Sequence, residues 1–270
     1  FDVSNSMLVE DMGESRLEWG KRKVDVLLDE LSQQGLHRVG LMPFAGEPFM
    51  LVPPTPDYDA VKFFLEDLNP KSVGFGGSNL AAALDAAADA IVKLPGTDKA
   101  ILVVSDGDAI DANADGAVRK ARADSRRQTL EAARDARLKA ASEGKRLGVY
   151  SLGVGGGVAK EVAVPDDEGG TSYIRFKSDS GSDEIATSAL DESTLSGIAF
   201  ENKGYVHSTA DETDIIYLLR TGLTSGGQTA DEVGGERSIP IERFRWPLLF
   251  AFALLLAELF VPQGRKEGAA

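Results

Sequence analysis

The first 223 residues alternate between two apolar patterns, one with helical spacing and one with short dense runs. Apolar positions three and four residues apart predict helices over residues 14–32, 58–68, 80–91, 194–198 and 211–223. Dense aliphatic runs predict strands over residues 39–44, 49–52, 101–104, 147–154 and 204–208. This alternation predicts an α/β fold with a doubly wound, mostly parallel sheet between two helical layers.

Residues 117–142 form a longer segment, rich in alanine and in charged residues. Its large apolar side chains are Val118, Leu130 and Leu138, so we expect a long, mostly solvated helix held by ion pairs between successive turns. The alternative interpretation is a basic docking face made by Arg119, Lys120, Arg122, Arg126 and Arg127.

Residues 246–261 are apolar except for Pro247 and Glu258, and Trp246 is placed as an interfacial anchor. We predict a transmembrane helix over residues 244–262. The apolar run extends about 24 Å at 1.5 Å per residue, less than the roughly 30 Å hydrocarbon core, so snorkelling or local thinning is needed. A soluble amphipathic helix is the alternative.

The remaining organisation follows from these elements. We expect one domain over residues 1–223, a linker rich in glycine, serine and acidic residues over residues 224–243, and a short tail over residues 263–270. The apolar run that should precede Asp2 as a core strand is absent, since the sequence begins at Phe1. We therefore expect a truncated first strand.

Composition excludes several classes of function. The chain has no cysteine, so disulfides, thiol chemistry and Cys-ligated zinc are excluded. With two histidines, a His-rich metal centre is not expected. The formal net charge of −14 repels phosphate backbones, so nucleic acid is not an expected partner.

Three polar loops follow predicted strand ends, where α/β sheets bind ligands. Residues 2–6 place one carboxylate and two hydroxyls on a single tight loop. The glycine loop at residues 76–79 adds a third hydroxyl, and the loop at residues 105–108 adds a second carboxylate after a buried run. The candidate metal-binding residues are Asp2, Ser4, Ser6, Ser78 and Asp106.

Together these loops resemble the metal-ion-dependent adhesion site of von Willebrand factor type A domains, in which D-x-S-x-S, a loop Thr and a later Asp converge. The resemblance covers most of residues 1–223 and implies a Rossmann-like fold. Ser78 stands where the family has Thr, which keeps the hydroxyl but loses a methyl group that stiffens χ1. The implied ion is Mg²⁺, with Mn²⁺ or Ca²⁺ as alternatives.

A mostly neutral set of donors indicates what this site would bind. Mg²⁺ requires six oxygens, and three hydroxyls with two carboxylates leave at least one position open. The ion then keeps enough positive character to attract a Glu or Asp carboxylate from a partner protein. This is also what the resemblance implies.

Two further features resemble one bacterial branch of the family. An acidic segment within residues 158–190 is similar to the hairpin insertion of that branch and precedes L-D-E-x-x-L at residues 190–195. The motif E-R-F-R-W-P before a Leu-rich helix is similar to BatA/BatB-type aerotolerance proteins of bacterial inner membranes. The resemblance implies a periplasmic domain anchored in the membrane, and other Bat proteins as partners.

Two other functions stay open at this stage. A metal-dependent hydrolase would use the open position to activate water, but the sequence offers only Asp or Glu as a base, without a paired motif. A structural membrane protein with a vestigial metal site is the other. The glycines at residues 153–157 lack a Walker lysine and indicate a flexible exit loop. We expect an interaction module and no enzyme.

Overall fold

The computed structural model describes residues 1–35, 37–73, 77–107, 116–165, 170–177 and 182–223. The chain divides into a compact unit, Phe1–Val233, and a second unit, Gly234–Ala270. The predicted linker, transmembrane helix and tail lie outside the described residues. Within the described ranges, we find no helix with the length and apolar character that crossing a membrane requires.

Six α-helices and eleven strands are present in the described ranges. The helices are α1 (Arg16–Gln34), α2 (Tyr58–Glu66), α3 (Leu80–Val92), α4 (Gly116–Ser142), α5 (Glu192–Ile198) and α6 (Thr213–Arg220). The first four strands are β1 (Val39–Leu41), β2 (Val52–Thr55), β3 (Asp98–Ser105) and β4 (Arg146–Gly153). The remaining strands are β5 (Lys160–Glu161), β6 (Ala163–Pro165), β7 (Thr171–Tyr173), β8 (Arg175–Lys177), β9 (Asp183–Ile185), β10 (Thr187–Ser188) and β11 (Tyr205–His207).

The centre of the fold is a parallel sheet in the order β11-β4-β3. Ser105 is in register with Gly153, and Gly153 with His207, so the three strands end at one edge. Residues 1–3 continue the sheet beside β3, because the amide of Asp2 donates to the Val104 carbonyl at 2.9 Å. The predicted hairpin is present as β1 and β2, which pair antiparallel, but β2 begins at Val52, where the predicted strand ends.

Two hydrophobic cores lie on opposite faces of this sheet. Leu102 and Val104 of β3 face the core that contains α1, α2 and α6, whereas Ile101 and Val103 face the core that contains α3, α4 and α5. Alternate residues of one strand are therefore buried on both sides, as the unbroken apolar runs predict. The predicted mixed α/β architecture with a parallel sheet is confirmed.

The expected long, mostly solvated helix is present as α4, but the residues of its buried face are small. Ala132, Ala133, Ala136 and Ala140 are buried against α3, whereas Leu138 is exposed. Alanines at these spacings let two helices approach closely, and α3 is itself rich in alanine. A count of large apolar residues therefore misjudges which face of α4 is buried.

The described parts of residues 158–190, namely 158–165, 170–177 and 182–190, form a small module of paired strands. β5 pairs with β10, β6 with β7, and β8 with β9, all antiparallel. Val162, Ile174 and Ala186 are linked through their backbones and pack with Val9 of the amino-terminal loop. The resemblance predicts a hairpin insertion within residues 158–190, and the described parts of that segment contain three antiparallel strand pairs.

A buried polar network holds α6 against α1. Lys23 forms an ion pair with Asp214 at 3.0 Å, with their side chains 8% and 0% exposed. The Ser208 hydroxyl donates to Asp214 at 3.1 Å and accepts from the Trp19 indole at 2.8 Å. These bonds join the middle of α1 to the first turn of α6.

Candidate metal centre

Asp2 is fixed at the carboxyl edge of the sheet by its own backbone neighbours. The Val3 amide donates to the Phe44 carbonyl, and the Phe44 amide donates to the Phe1 carbonyl, both at 2.9 Å. Together with the bond to Val104, these contacts hold residues 1–3 between β3 and the strand before Phe44. The Asp2 side chain is completely buried.

Three groups donate to the Asp2 carboxylate. Its Oδ1 accepts from the Ser4 amide at 2.9 Å, and its Oδ2 accepts from the Ser105 hydroxyl at 2.6 Å and the Ser78 hydroxyl at 3.5 Å. The Ser4 and Ser6 hydroxyls lie 3.0 Å apart. The structure thus links Ser4 and Ser78 directly to the Asp2 carboxylate, and Ser6 to it through Ser4.

Ser78 is held by the start of α3. The next residue, Asn79, caps that helix, since its side chain accepts from the Ala82 amide at 3.1 Å. The Asn79 amide donates to the Ala45 carbonyl at 2.7 Å, which ties the loop to the end of the neighbouring strand. The half-buried Ser78 is therefore positioned by backbone contacts on its carboxyl-terminal side.

Asp106 directly follows β3 and is also completely buried. Its Oδ2 accepts from Arg16 Nη1 at 2.8 Å and from the Ser188 hydroxyl at 3.0 Å. Its carbonyl accepts from the Asp191 amide at 2.8 Å. The second predicted carboxylate therefore contacts α1, β10 and the start of α5.

Arg16 is a completely buried cation that contacts the carboxylates of Asp106 and Asp11. On the side away from Asp106, its Nη2 pairs with Asp11 Oδ2 at 2.6 Å, and its Nε also donates to that carboxylate. Asp11 in turn accepts from the Gly156 amide at 2.9 Å. One guanidinium thus joins the amino-terminal loop, the end of β3, the exit of β4 and the strand module.

The electrostatics of Asp2 favour an added positive charge. Burial, together with the nearby negative charge of Asp106, raises the pKa of Asp2 to about 6, although hydrogen bonds from Ser105 and Ser4 oppose the rise. Burial also disfavours the Asp11 carboxylate, but bonds from Arg16 and the Gly156 amide outweigh it and lower the pKa of Asp11. Burial therefore leaves Asp2 as a carboxylate whose ionised form an added cation would stabilise.

The donor set fits a hard divalent cation. All predicted donors are hydroxyl or carboxylate oxygens, the ligands that Mg²⁺ and Ca²⁺ prefer. Among the residues that the structure describes, no group of three or more His, Cys, Asp or Glu has metal-binding geometry. A site with only the carboxylates of Asp2 and Asp106 would therefore depend on serine hydroxyls.

The sequence prediction did not include Arg16, Asp11 or Ser188, and it did not assign a role to the Ser105 hydroxyl. A signal for the arginine was present in α1. Arg16 and Lys23 lie at the inward spacing that also contains Gly20, Leu27 and Leu31, and all five are buried. A charged residue within an otherwise apolar helical stripe indicates a buried ion pair.

The comparisons with a family model and with solved structures give a consistent result. A family model described as the von Willebrand factor type A domain matches residues 1–108. The structure of BatB from Bacteroides thetaiotaomicron is 28% identical, with a TM-score of 0.61, and 82% of this chain and 93% of that chain are covered. An aerotolerance-related membrane protein from Bacteroides fragilis is 29% identical, with a TM-score of 0.61 and coverage of 82% and 94%. No curated protein matches the chain.

The fold also matches a more distant structure. Proximal thread matrix protein 1 from the mussel byssus, described with a zinc-occupied MIDAS motif, is 13% identical, with a TM-score of 0.50 and coverage of 83% and 46%. Residues 1–108 therefore match the von Willebrand factor type A model, and the mussel protein shares the fold of this chain. The chain is BatA/BatB-like, because it is similar in both sequence and fold to BatB and to the aerotolerance-related membrane protein.

Proposed function

We propose that this domain is a metal-dependent protein-interaction module. Asp2, Ser4, Ser6, Ser78 and Asp106 would hold Mg²⁺, or Mn²⁺ or Ca²⁺, and a partner protein would add a Glu or Asp carboxylate. The observation that carries the proposal is the buried Asp2 carboxylate, which is bonded to the Ser4 loop and Ser78 and lies beside Asp106.

The residues of such a site would have three different roles: neutral donors, charged donors and a residue that orients a donor. The hydroxyls of Ser4, Ser6 and Ser78 offer neutral oxygens, so they hold a cation without cancelling its charge. Asp2 and Asp106 supply the two negative charges, and Ser105 orients Asp2. When bound, the ion would supply an electropositive position that an external carboxylate completes. No acid–base pair is required, so the proposed module is not an enzyme.

We further propose that residues 244–262 anchor the domain in a bacterial inner membrane, with the domain on the periplasmic side. The relative from Bacteroides fragilis is described as a membrane protein, which supports membrane association. Bat-type proteins would then be candidate partners in the same membrane, and aerotolerance or assembly of an envelope complex a candidate process. Protease protection of the full chain in inverted and right-side-out vesicles tests the orientation.

Titration calorimetry of the full chain with Mg²⁺ and Mn²⁺ tests the metal site. Asp2→Asn and Asp106→Asn should each abolish the binding heat. Asp98→Asn is a matched control, because Asp98 lies at the opposite end of β3 and pairs with Arg146 on the surface. A wild-type chain that gives no heat, or Asp variants that bind as well as the control, would reject the site.

Binding of an acidic peptide tests the second half of the proposal. The probe is a short blocked peptide with one central glutamate, and its glutamine analogue is the control. We expect the glutamate peptide to bind only the metal-loaded chain and to be released by EDTA. Metal binding without peptide binding would reject the carboxylate receptor, and metal-dependent turnover of a phosphoester would favour a hydrolase.

A further inference from the structure

The ion pair between Arg16 and Asp11 lies next to the proposed metal site but is not part of its donor set. Its two side chains are 0% and 5% exposed, and it is anchored by the Gly156 amide on one side and by Asp106 on the other. Burying such a pair removes both ions from water, which carries a desolvation penalty. A role in the electrostatics of the site would give that cost a function.

One of the contacts of Arg16 joins it directly to Asp106. Nη1 bonds to Asp106 Oδ2 and to the Ser188 hydroxyl, both at 2.8 Å, whereas Nε and Nη2 face Asp11. The cation therefore touches a proposed metal-binding carboxylate, and Asp11 lies on the far side of the guanidinium. Because both charges are buried, solvent screens their effect on the site only weakly.

A count of formal charges shows what the cation changes. Asp2, Asp106 and Asp11 each contribute one negative charge when ionised, Arg16 one positive charge, and a divalent ion two. The loaded cluster is then neutral with Arg16 and negative without it. An approaching carboxylate is repelled by a negative cluster, so the arginine decides whether the loaded site accepts an anion.

We propose that Arg16 is a specificity-determining residue of this site. This proposal rests on the function proposed above. Its buried charge weakens cation binding and in exchange keeps the loaded site receptive to the carboxylate of a partner. Asp11 orients the guanidinium and limits its effect. Arg16 and Asp11 therefore have opposite effects on cation binding, and also on binding of the partner's carboxylate.

The test uses the full chain, with Mn²⁺ affinity and glutamate-peptide affinity as separate readouts. Arg16→Gln should bind Mn²⁺ about tenfold or more tightly, while the loaded variant binds the peptide about tenfold or more weakly. Asp11→Asn should shift both affinities the other way. Arg16→Lys keeps the charge and should retain peptide binding within a few-fold.

The double variant Arg16→Gln/Asp11→Asn restores the charge of the cluster and should return both affinities toward those of the wild type. A purely structural role predicts instead that every variant weakens both affinities together, and that result would overturn the proposal. If Arg16→Gln does not fold by circular dichroism, Asp11→Asn and Arg16→Lys decide between the two alternatives. A wild-type chain that binds no Mn²⁺ would instead defeat the proposed function itself.

Discussion

Ser105 donates a hydrogen bond of 2.6 Å from its hydroxyl to Asp2 Oδ2, and both residues are completely buried. The same hydroxyl accepts from the Gly107 amide at 2.9 Å. Ser105 therefore connects the loop after β3 to the loop after residues 1–3. Because a bond to a buried carboxylate is charge-assisted when Asp2 is ionised, it fixes the orientation of that side chain.

Replacing Ser105 with alanine should destabilise the domain by about 1–3 kcal/mol, since it leaves the buried Asp2 carboxylate and the Gly107 amide without this partner. Urea denaturation in EDTA measures the loss. Ser32→Ala is the control, because that hydroxyl is exposed and bonds only to the Asp29 carbonyl of its own helix. A loss no larger than that of the control would show that Ser105 has no such role.

The stability of the metal-free domain should depend on the protonation of Asp2. Its pKa is raised from 3.8 to about 6 on folding, so its contribution to stability is complete below about pH 4. That contribution is lost as the pH rises through about 6. Comparing the wild type with Asp2→Asn in EDTA across this window measures it, and parallel curves would contradict the prediction.

Metal binding should show the opposite dependence on pH. A cation competes with the proton on Asp2, so Mg²⁺ affinity should fall about tenfold for each pH unit below about 6. Calorimetry at a series of pH values checks this slope, with ionic strength held constant. An affinity that is flat between about pH 4.5 and 6 would show that Asp2 is not a ligand.

Lys23→Met should destabilise the domain by about 3 kcal/mol, because it leaves Asp214 as a buried charge without its cation. Arg127→Met is the control: Arg127 pairs with Asp124 on the surface, with side chains 66% and 43% exposed, and should cost about 0.5 kcal/mol or less. Chemical denaturation measures both. Equal losses would mean that the buried pair does not stabilise α6.

Gly107→Ala should disturb the loop after β3 that carries Asp106. A Cβ at this position would lie 2.7 Å from the Asp191 carbonyl oxygen, and φ is +86°. Gly96→Ala is the matched control, since φ is +95° there but the nearest atom is the flexible Lys99 Nζ at 3.7 Å. We expect a loss of about 1 kcal/mol for the control and roughly 3 kcal/mol or more for Gly107→Ala.

The same pair of variants separates backbone strain from crowding. Only Gly107→Ala should also weaken Mn²⁺ binding, because displacement of the Asp191 carbonyl moves its amide away from Asp106. Calorimetry on both variants provides the measurement. Mn²⁺ affinity that is unchanged in Gly107→Ala would show that the Asp106 carboxylate is positioned independently of α5.

The parallel sheet and most helices could be predicted because each leaves a local periodic signal. The helix predicted over residues 14–32 is observed as Arg16–Gln34, for example. The strand module could not be predicted in the same way, since its strands are two or three residues long and β5 pairs with the distant β10, Lys160 opposite Ser188. Such strands are fixed by their partners and by Val9, which no local window contains.

The candidate site also contains residues that the sequence predicts and residues that it does not. Asp2 and Asp106 stand at predicted strand ends, so their approach follows from the parallel sheet. The buried guanidinium of Arg16 meets Ser188 across 172 positions of sequence, and no motif marks that serine. The sequence therefore identifies the two carboxylates of the site, but it gives no local signal for Ser188, which lies beside one of them.

The bond from the Trp19 indole to Ser208 gives the domain an internal optical reporter. Trp19 is one of two tryptophans in the chain, and the other is Trp246 of the carboxyl-terminal apolar run. With Trp246 replaced by phenylalanine, emission would come from a single indole that touches the Lys23–Asp214 network. Its wavelength and quenching would then follow the docking of α6 in solution, without an attached dye.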